Sequence, residues 1–128
     1  MKNEEPKTKI RQFTDLEAWK SSRVLVKNVY RACYLYPKEE QYGLVSQMKR
    51  SSVSVASNIA EGFKRDTMKD KVHFYVMAHG SLIELQNQII LSLDLQFIDD
   101  RSYDDLMSLC ERADKLLTGL IRASKERL

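Results

Sequence analysis

Only four glycines and two prolines punctuate the 128 residues of this chain. Sandwiches and barrels need turn residues about every 8–12 positions, and so few breakers cannot supply them. The constraint therefore points to long, uninterrupted helices. A hydrophobic content of 43% leaves enough apolar surface for a core and excludes general disorder.

The breakers and caps divide the chain. Residues 1–12 are polar and read as a flexible N-terminal tail, followed by one domain over 13–128. Thr14-Asp15-Leu16-Glu17 has the spacing of a capping box and predicts a helix over about 15–36, ending before Pro37. Gly43 and Gly62 frame a second helix at 44–61, with Gly62 as its stop. Thr67, with Asp70 three residues on, predicts the start of a third helix at 68–97, with Gly80 inside it. Ser102 and Asp105 do the same for a fourth at 103–127. Connections this short make neighbouring helices antiparallel. The expected fold is all-α, an up-down-up-down four-helix bundle.

Periodicity places the faces. In the fourth helix Leu106, Leu109, Cys110, Ala113, Leu116, Leu117, Leu120 and Ile121 form one stripe. In the second, Leu44, Met48, Val55 and Ile59 face inward. Its run from Ser51 through Ala60 is rich in small residues that permit close helix approach, with Gly80 and Ser81 as the matching point on the third helix. In the third, Met68, Val72, Tyr75, Val76, Leu82, Ile83, Ile90 and Leu93 make a broad core face. Met77, Leu91 and Leu95 point nearly the other way. One bundle core cannot cover both sides, so these three are candidates for a subunit contact.

Net charge is only +3, but its distribution is uneven. Residues 1–65 hold 13 Lys and Arg against 7 Asp and Glu, a balance of +6, and residues 66–128 hold 8 against 11, a balance of −3. Lys20, Arg23, Lys27 and Arg31 fall on one stripe of the first helix, opposite Trp19, Val26, Val29 and Cys33. Lys49, Arg50, Lys64 and Arg65 add cations on or just after the second. A lone basic stripe is ordinarily a solvated face, but repetition round a ring of subunits concentrates its field and suits a phosphate backbone. Tyr30, Tyr34, Tyr36, Tyr42, Tyr75 and Tyr103 offer rings for base stacking, against the more ordinary role of core-edge residues.

Catalytic and cofactor signatures are missing from the sequence. His73 and His79 are six apart and do not form a chelating i, i+4 pair. Cys33 and Cys110 match no metal spacing and read as reduced, buried thiols. No phosphate loop, nucleophile elbow or Cys-x-x-Cys occurs. Glu84 lacks a second acid or nucleophile and reads as a structural partner of Arg50 or Asn58. No enzyme activity, metal or cofactor is expected. The opening residues lack a secretory h-region, and no apolar run reaches the ~20 residues of a membrane span, so a cytoplasmic protein is expected.

Four segments together resemble a known family. They are Phe13-Thr-Asp-Leu-Glu-Ala-Trp19, Tyr36-Pro37 with Glu40 through Arg50, Ser51 through Gly62 with Arg65, and Ala78-His-Gly-Ser-Leu-Ile-Glu-Leu85. In this order they resemble the bacterial four-helix-bundle proteins encoded in intervening sequences of large-subunit (23S) ribosomal RNA genes. The resemblance implies a homopentameric ring. It also implies kinship with the accessory proteins of diversity-generating retroelements, basic pentamers that bind a reverse transcriptase and nucleic acid. Asn58, Glu61, Gly62, Gly80, Ser81 and Glu84 match the motifs and receive architectural roles. Two functions are left open. One is a non-enzymatic oligomer that binds RNA, DNA or a ribonucleoprotein through the basic face. The other is a protein scaffold, for example a reverse-transcriptase accessory.

Overall fold

The computed structural model describes residues 9–128. The expected tail falls mainly on residues 1–8, outside the described residues. Four helices form: α1 Glu17–Cys33, α2 Leu44–Phe63, α3 Met68–Asp94 and α4 Asp100–Lys125. Short 3₁₀ turns at Phe13–Asp15 and Lys38–Glu40 precede α1 and α2. Each helix packs closely on two others, α1 on α2 and α4, and α3 on α2 and α4, and among the described residues the diagonal helices do not approach backbone to backbone. The all-α four-helix bundle is the fold. None of the described helices is long and apolar enough to cross a membrane.

The core is one continuous cluster. Leu25 and Val29 of α1, Met48, Val55 and Ile59 of α2, Leu82, Leu85 and Ile89 of α3, and Cys110 and Leu117 of α4 are buried. The expected stripes of α2 and α4 both face it. Cys33 and Cys110 are buried free thiols. Burial pushes the Cys110 thiol up to about 12, with the nearby Asp114 and Glu111 carboxylates adding to the effect.

The α2–α3 seam explains the small residues. Ser51 Oγ donates to Gln88 Oε1 at 2.7 Å, Ser54 and Ser81 hydroxyls meet at 2.8 Å, and Asn58 Nδ2 donates back to Ser54 O. Ser51 and Ser52 also donate to carbonyls three residues earlier, so these hydroxyls bring no orphan donor into the interior. Across the bundle, His79 Nε2 lies 2.9 Å from Asp114 Oδ1, and Thr118 Oγ1 donates to the same oxygen. This pair ties α3 to α4.

Several sequence expectations change. Thr14 is not the cap of α1; Leu16 takes that position, and Asp15 instead closes the preceding turn. The Arg11 and Gln12 N–H groups both donate to its carboxylate, which holds that carboxyl below its ordinary range. Residues 11 and 12 are thereby tied to the domain. Asp99, not Ser102, caps α4, its carboxylate accepting from the Ser102 N–H at 2.8 Å. Thr67 caps α3 as expected, accepting from the Asp70 N–H.

Helix α1 ends at Cys33, and Tyr34, Leu35 and Tyr36 tighten into i→i+3 bonds ahead of Pro37. Helix α3 ends at Asp94, not Phe97. Gln96 takes a left-handed φ of 63°, the Phe97 N–H donates to Ser92 O and the Gln96 N–H to Leu93 O. That is a Schellman stop built on glutamine.

The glycines exchange roles. Gly62 does not end α2, which runs on to Phe63. A Cβ there would lie 2.8 Å from Tyr75 Cε1 and 3.0 Å from Phe74 Cβ, so Gly62 is the close-approach point of α2 on α3. Gly80, expected in that role, is exposed with nothing within 4 Å of a Cβ. Its neighbour Ser81 does make the contact expected of it. Glu84 is exposed and accepts from Gln88 Nε2 at 3.3 Å, in place of the expected Arg50 or Asn58.

Finally, α3 buries Tyr75, Ala78, Leu82, Leu85, Ile89 and Ser92, a tight alternation of three and four. Val76, Ile83 and Ile90, placed in the core from periodicity, are exposed. Each sits one residue beyond a core position, and seven-residue spacing keeps all three on one outer line.

Candidate nucleic-acid interface

The buried positions of α1 are Ala18, Ser22, Leu25, Val29 and Cys33. At 100° per residue, Lys20, Arg23, Lys27 and Arg31 lie on the opposite side, and all four are exposed. They form one basic line about 17 Å long at 1.5 Å per residue. Spacings of three and four keep a helical line straight, and apolar pressure on the other face fixes which way it points.

Aromatic and apolar neighbours hold these cations. The Arg23 guanidinium lies over the Trp19 ring, 5.5 Å from its centroid. Trp19 in turn takes the edge of Phe13 at 5.4 Å. Lys20 pairs with Glu17 at 3.1 Å, both ends in water, an ion pair that contributes little to stability. Lys49 of α2 reaches across to α1, its Nζ 4.9 Å from the Tyr30 ring centroid. Between the helices lies a shallow groove of about 220 Å³, floored by Trp19, Val26, Val53 and Ala56 and edged by Arg23 and Lys27.

The other cations divide. Arg50 is exposed on α2, between the side that faces α1 through Lys49 and Val53 and the side that faces α3 through Ser51 and Ser54. Lys64 is exposed at the far end of α2. Arg65 turns away from the α1 line. Its Nε lies 3.8 Å from Glu61 and its guanidinium 4.3 Å above the Phe74 ring of α3. The structure therefore gathers Lys20, Arg23, Lys27, Arg31 and Lys49 on one face, and separates Arg65 from it.

A second surface lies on the outer side of α3. Met77, Leu91 and Leu95 are exposed there as expected from the sequence. Val76, Ile83 and Ile90 join them, so the apolar strip is wider than periodicity alone indicated. From Val76 to Leu95 it extends about 28 Å.

Sequence reasoning left two features unassigned. The His79–Asp114–Thr118 cluster joins residues 35 and 39 apart, and no local spacing announces it. The display of Tyr34 and Tyr42 in water depends on how the α1–α2 connection folds. Among the described residues, no group of three or more His, Cys, Asp or Glu side chains is arranged to hold a metal ion.

Comparison with known proteins gives one family and a fold relative. The family described as "23S rRNA-intervening sequence protein" matches residues 14–119. A crystal structure of a protein of unknown function from the S23 ribosomal protein family of Bacteroides thetaiotaomicron VPI-5482 superimposes with a TM-score of 0.73 at 20% identity. The match covers 81% of this chain and 97% of that one. At this identity the likeness concerns the fold. No curated protein matches the chain.

Proposed function

Because this chain belongs to the 23S rRNA-intervening sequence protein family, we propose that it is a non-enzymatic, cytoplasmic, self-assembling bundle that binds RNA through the basic face of α1 and α2. One observation carries the proposal. Lys20, Arg23, Lys27 and Arg31 stand exposed in a line opposite the buried side of α1, with Lys49 beside them. Four cations in a row repel one another unless they are solvated or opposed by an anion. A phosphate backbone is such an anion, and binding it releases counterions. The mechanism is backbone electrostatics without reading of base edges.

Self-assembly is supported by the apolar outer strip of α3. Six large apolar side chains exposed along one helix are more than a monomeric protein usually leaves in water. A homopentameric ring, as the sequence resemblance implies, would present the basic line five times around one axis. Light scattering should then give several times the monomer mass. A monomer would refute the assembly and leave Met77, Leu91 and Leu95 as ordinary surface residues.

Filter binding across a salt series tests the RNA contact. With four to five phosphates neutralised, log K should fall with log salt at a slope of about −3 to −4. Lys27→Gln with Arg31→Gln should flatten it by about 1.5. A flat response, or no binding at low salt, overturns the proposal.

One observation favours a second reading. The groove between Arg23 and Lys27 has an apolar floor of Trp19, Val26 and Val53, which a phosphate backbone does not require. A protein partner, such as a reverse transcriptase, would use it. Partners retained in a pulldown after RNase treatment would support this scaffold role.

A further inference from the structure

The six tyrosines of the chain are used in opposite ways. Tyr36 and Tyr75 are core residues, only 7% and 2% exposed, and Tyr103 is half-buried. Tyr34 and Tyr42 are 88% and 90% exposed. All the extremes but one occur within the single connection from α1 to α2. Tyr36 anchors that connection, its ring 5.5 Å from Phe97. The Glu40 carboxylate and carbonyl accept from the Leu44 and Gly43 N–H groups, which holds the turn closed at α2. Tyr34 and Tyr42 are thus displayed on either side of a tied loop. Neither ring contributes burial to the fold, although a tyrosine carries a large apolar surface.

Their surroundings identify a ligand chemistry. Tyr30 lies in the last turn of α1 and Tyr34 just past its end, four residues on, and along the chain they interleave with Lys27 and Arg31 of the basic line. Lys49 already lies over Tyr30, and Lys38 is exposed in the loop. Glu39 and Glu40 are the carboxylates of the loop, and Glu40 is engaged by backbone N–H groups of the turn at α2. Cations interleaved with free aromatic faces match a strand whose phosphates and bases are both accessible. In a duplex the base faces are occupied by stacking, so only an unpaired strand can use both groups.

We infer that the α1–α2 end of the bundle is a single-stranded RNA platform, in which Tyr34 and Tyr42 stack on unpaired bases while Lys27, Arg31 and Lys49 hold the phosphates. The inference rests on the RNA-binding role proposed above and narrows it to unpaired segments. It adds a contribution that does not depend on charge, and it is tolerant of sequence because every base has a π-face.

Fluorescence anisotropy of the full-length protein tests this with three labelled probes of equal length, about 12 nucleotides, within the usual site range. They are a single strand, the same sequence as a duplex, and an abasic strand with the same backbone. The single strand should bind more tightly than either of the others. Y34A/Y42A should weaken single-strand binding at least about 25-fold, since each of the two lost stacks is worth roughly 5- to 150-fold. Y34F/Y42F should bind like the parent, because the ring face is kept. Both double variants should melt with the parent, since neither ring is buried. Unchanged single-strand binding by Y34A/Y42A, or an abasic strand bound as tightly as the base-bearing one, overturns the stacking platform and leaves the electrostatic contact standing. Absence of RNA binding at low salt overturns both.

Discussion

Replacing glycine by alanine at positions 62 and 80 should move stability in opposite directions. Gly80 lies in the middle of α3, so alanine there gains about 1 kcal/mol of helix propensity, and Gly62, the last residue but one of α2, gains less. At Gly80 nothing lies within 4 Å of the new methyl group, and the gain stands alone. At Gly62 the methyl carbon would sit 2.8 and 2.9 Å from two ring carbons of Tyr75 and 3.0 Å from Phe74 Cβ. Favourable carbon contacts lie at about 3.5–4.0 Å, so each of these is an overlap. The Tyr75 ring is packed in the core and cannot swing into solvent. Overpacking of this kind costs about 1–3 kcal/mol. The difference between the two variants therefore contains that steric cost together with the smaller propensity gain at Gly62. For a chain of this size it corresponds to a gap of at least about 4 °C in melting temperature. Thermal and urea unfolding by circular dichroism, at matched protein concentration because self-association shifts the midpoint, measures it. A Gly62→Ala variant as stable as Gly80→Ala would refute the close approach of α2 to α3.

Three other outcomes are expected. Gln96→Gly should stabilise by about 0.5–1 kcal/mol by relieving a left-handed residue, and Gln96→Val should destabilise, both read from urea midpoints. Ser51→Ala should cost about 1–2 kcal/mol by leaving the buried Gln88 carbonyl without its donor, and pairing it with Gln88→Leu should recover part of that loss in a double-mutant cycle. The raised Cys110 thiol, with Cys33, Tyr36 and Tyr75 raised in the same sense by burial, stabilises the fold only while protonated. The unfolded chain ionises its thiols first, from near 9.0, so stability should hold below that pH and fall as it rises towards about 12. Urea midpoints across that range check the sign, and a thiol reagent at neutral pH should label neither cysteine until the protein is unfolded.

Helix number, order and antiparallel packing follow from where breakers stand and how apolar residues recur. Both are local properties, so the sequence alone determined them, along with the α1 basic line and the inward stripes of α2 and α4. Thr67 was legible as a cap because its hydroxyl competes for a nearby N–H. Ser102 lost that role to Asp99, a carboxylate close by that accepts the same kind of bond more strongly, and Thr14 lost it because the cap position of α1 falls at Leu16, behind a turn that Asp15 closes. The end of α3 was hidden because a glutamine took a conformation usually left to glycine.

Only the tertiary structure decided what lies opposite each residue. A glycine in the sequence says that a side chain is missing, but not whether a neighbour fills the space. Tyr75 fills it at Gly62, and solvent does at Gly80. Val76, Ile83 and Ile90 satisfy the helical period, yet α3 turns the adjacent line of Tyr75, Leu82 and Ile89 to the core and leaves them outside. Likewise six tyrosines are chemically equal in the sequence. The fold of the α1–α2 connection buries Tyr36 and holds Tyr34 and Tyr42 in water, because burial depends on contacts between segments that are distant along the chain.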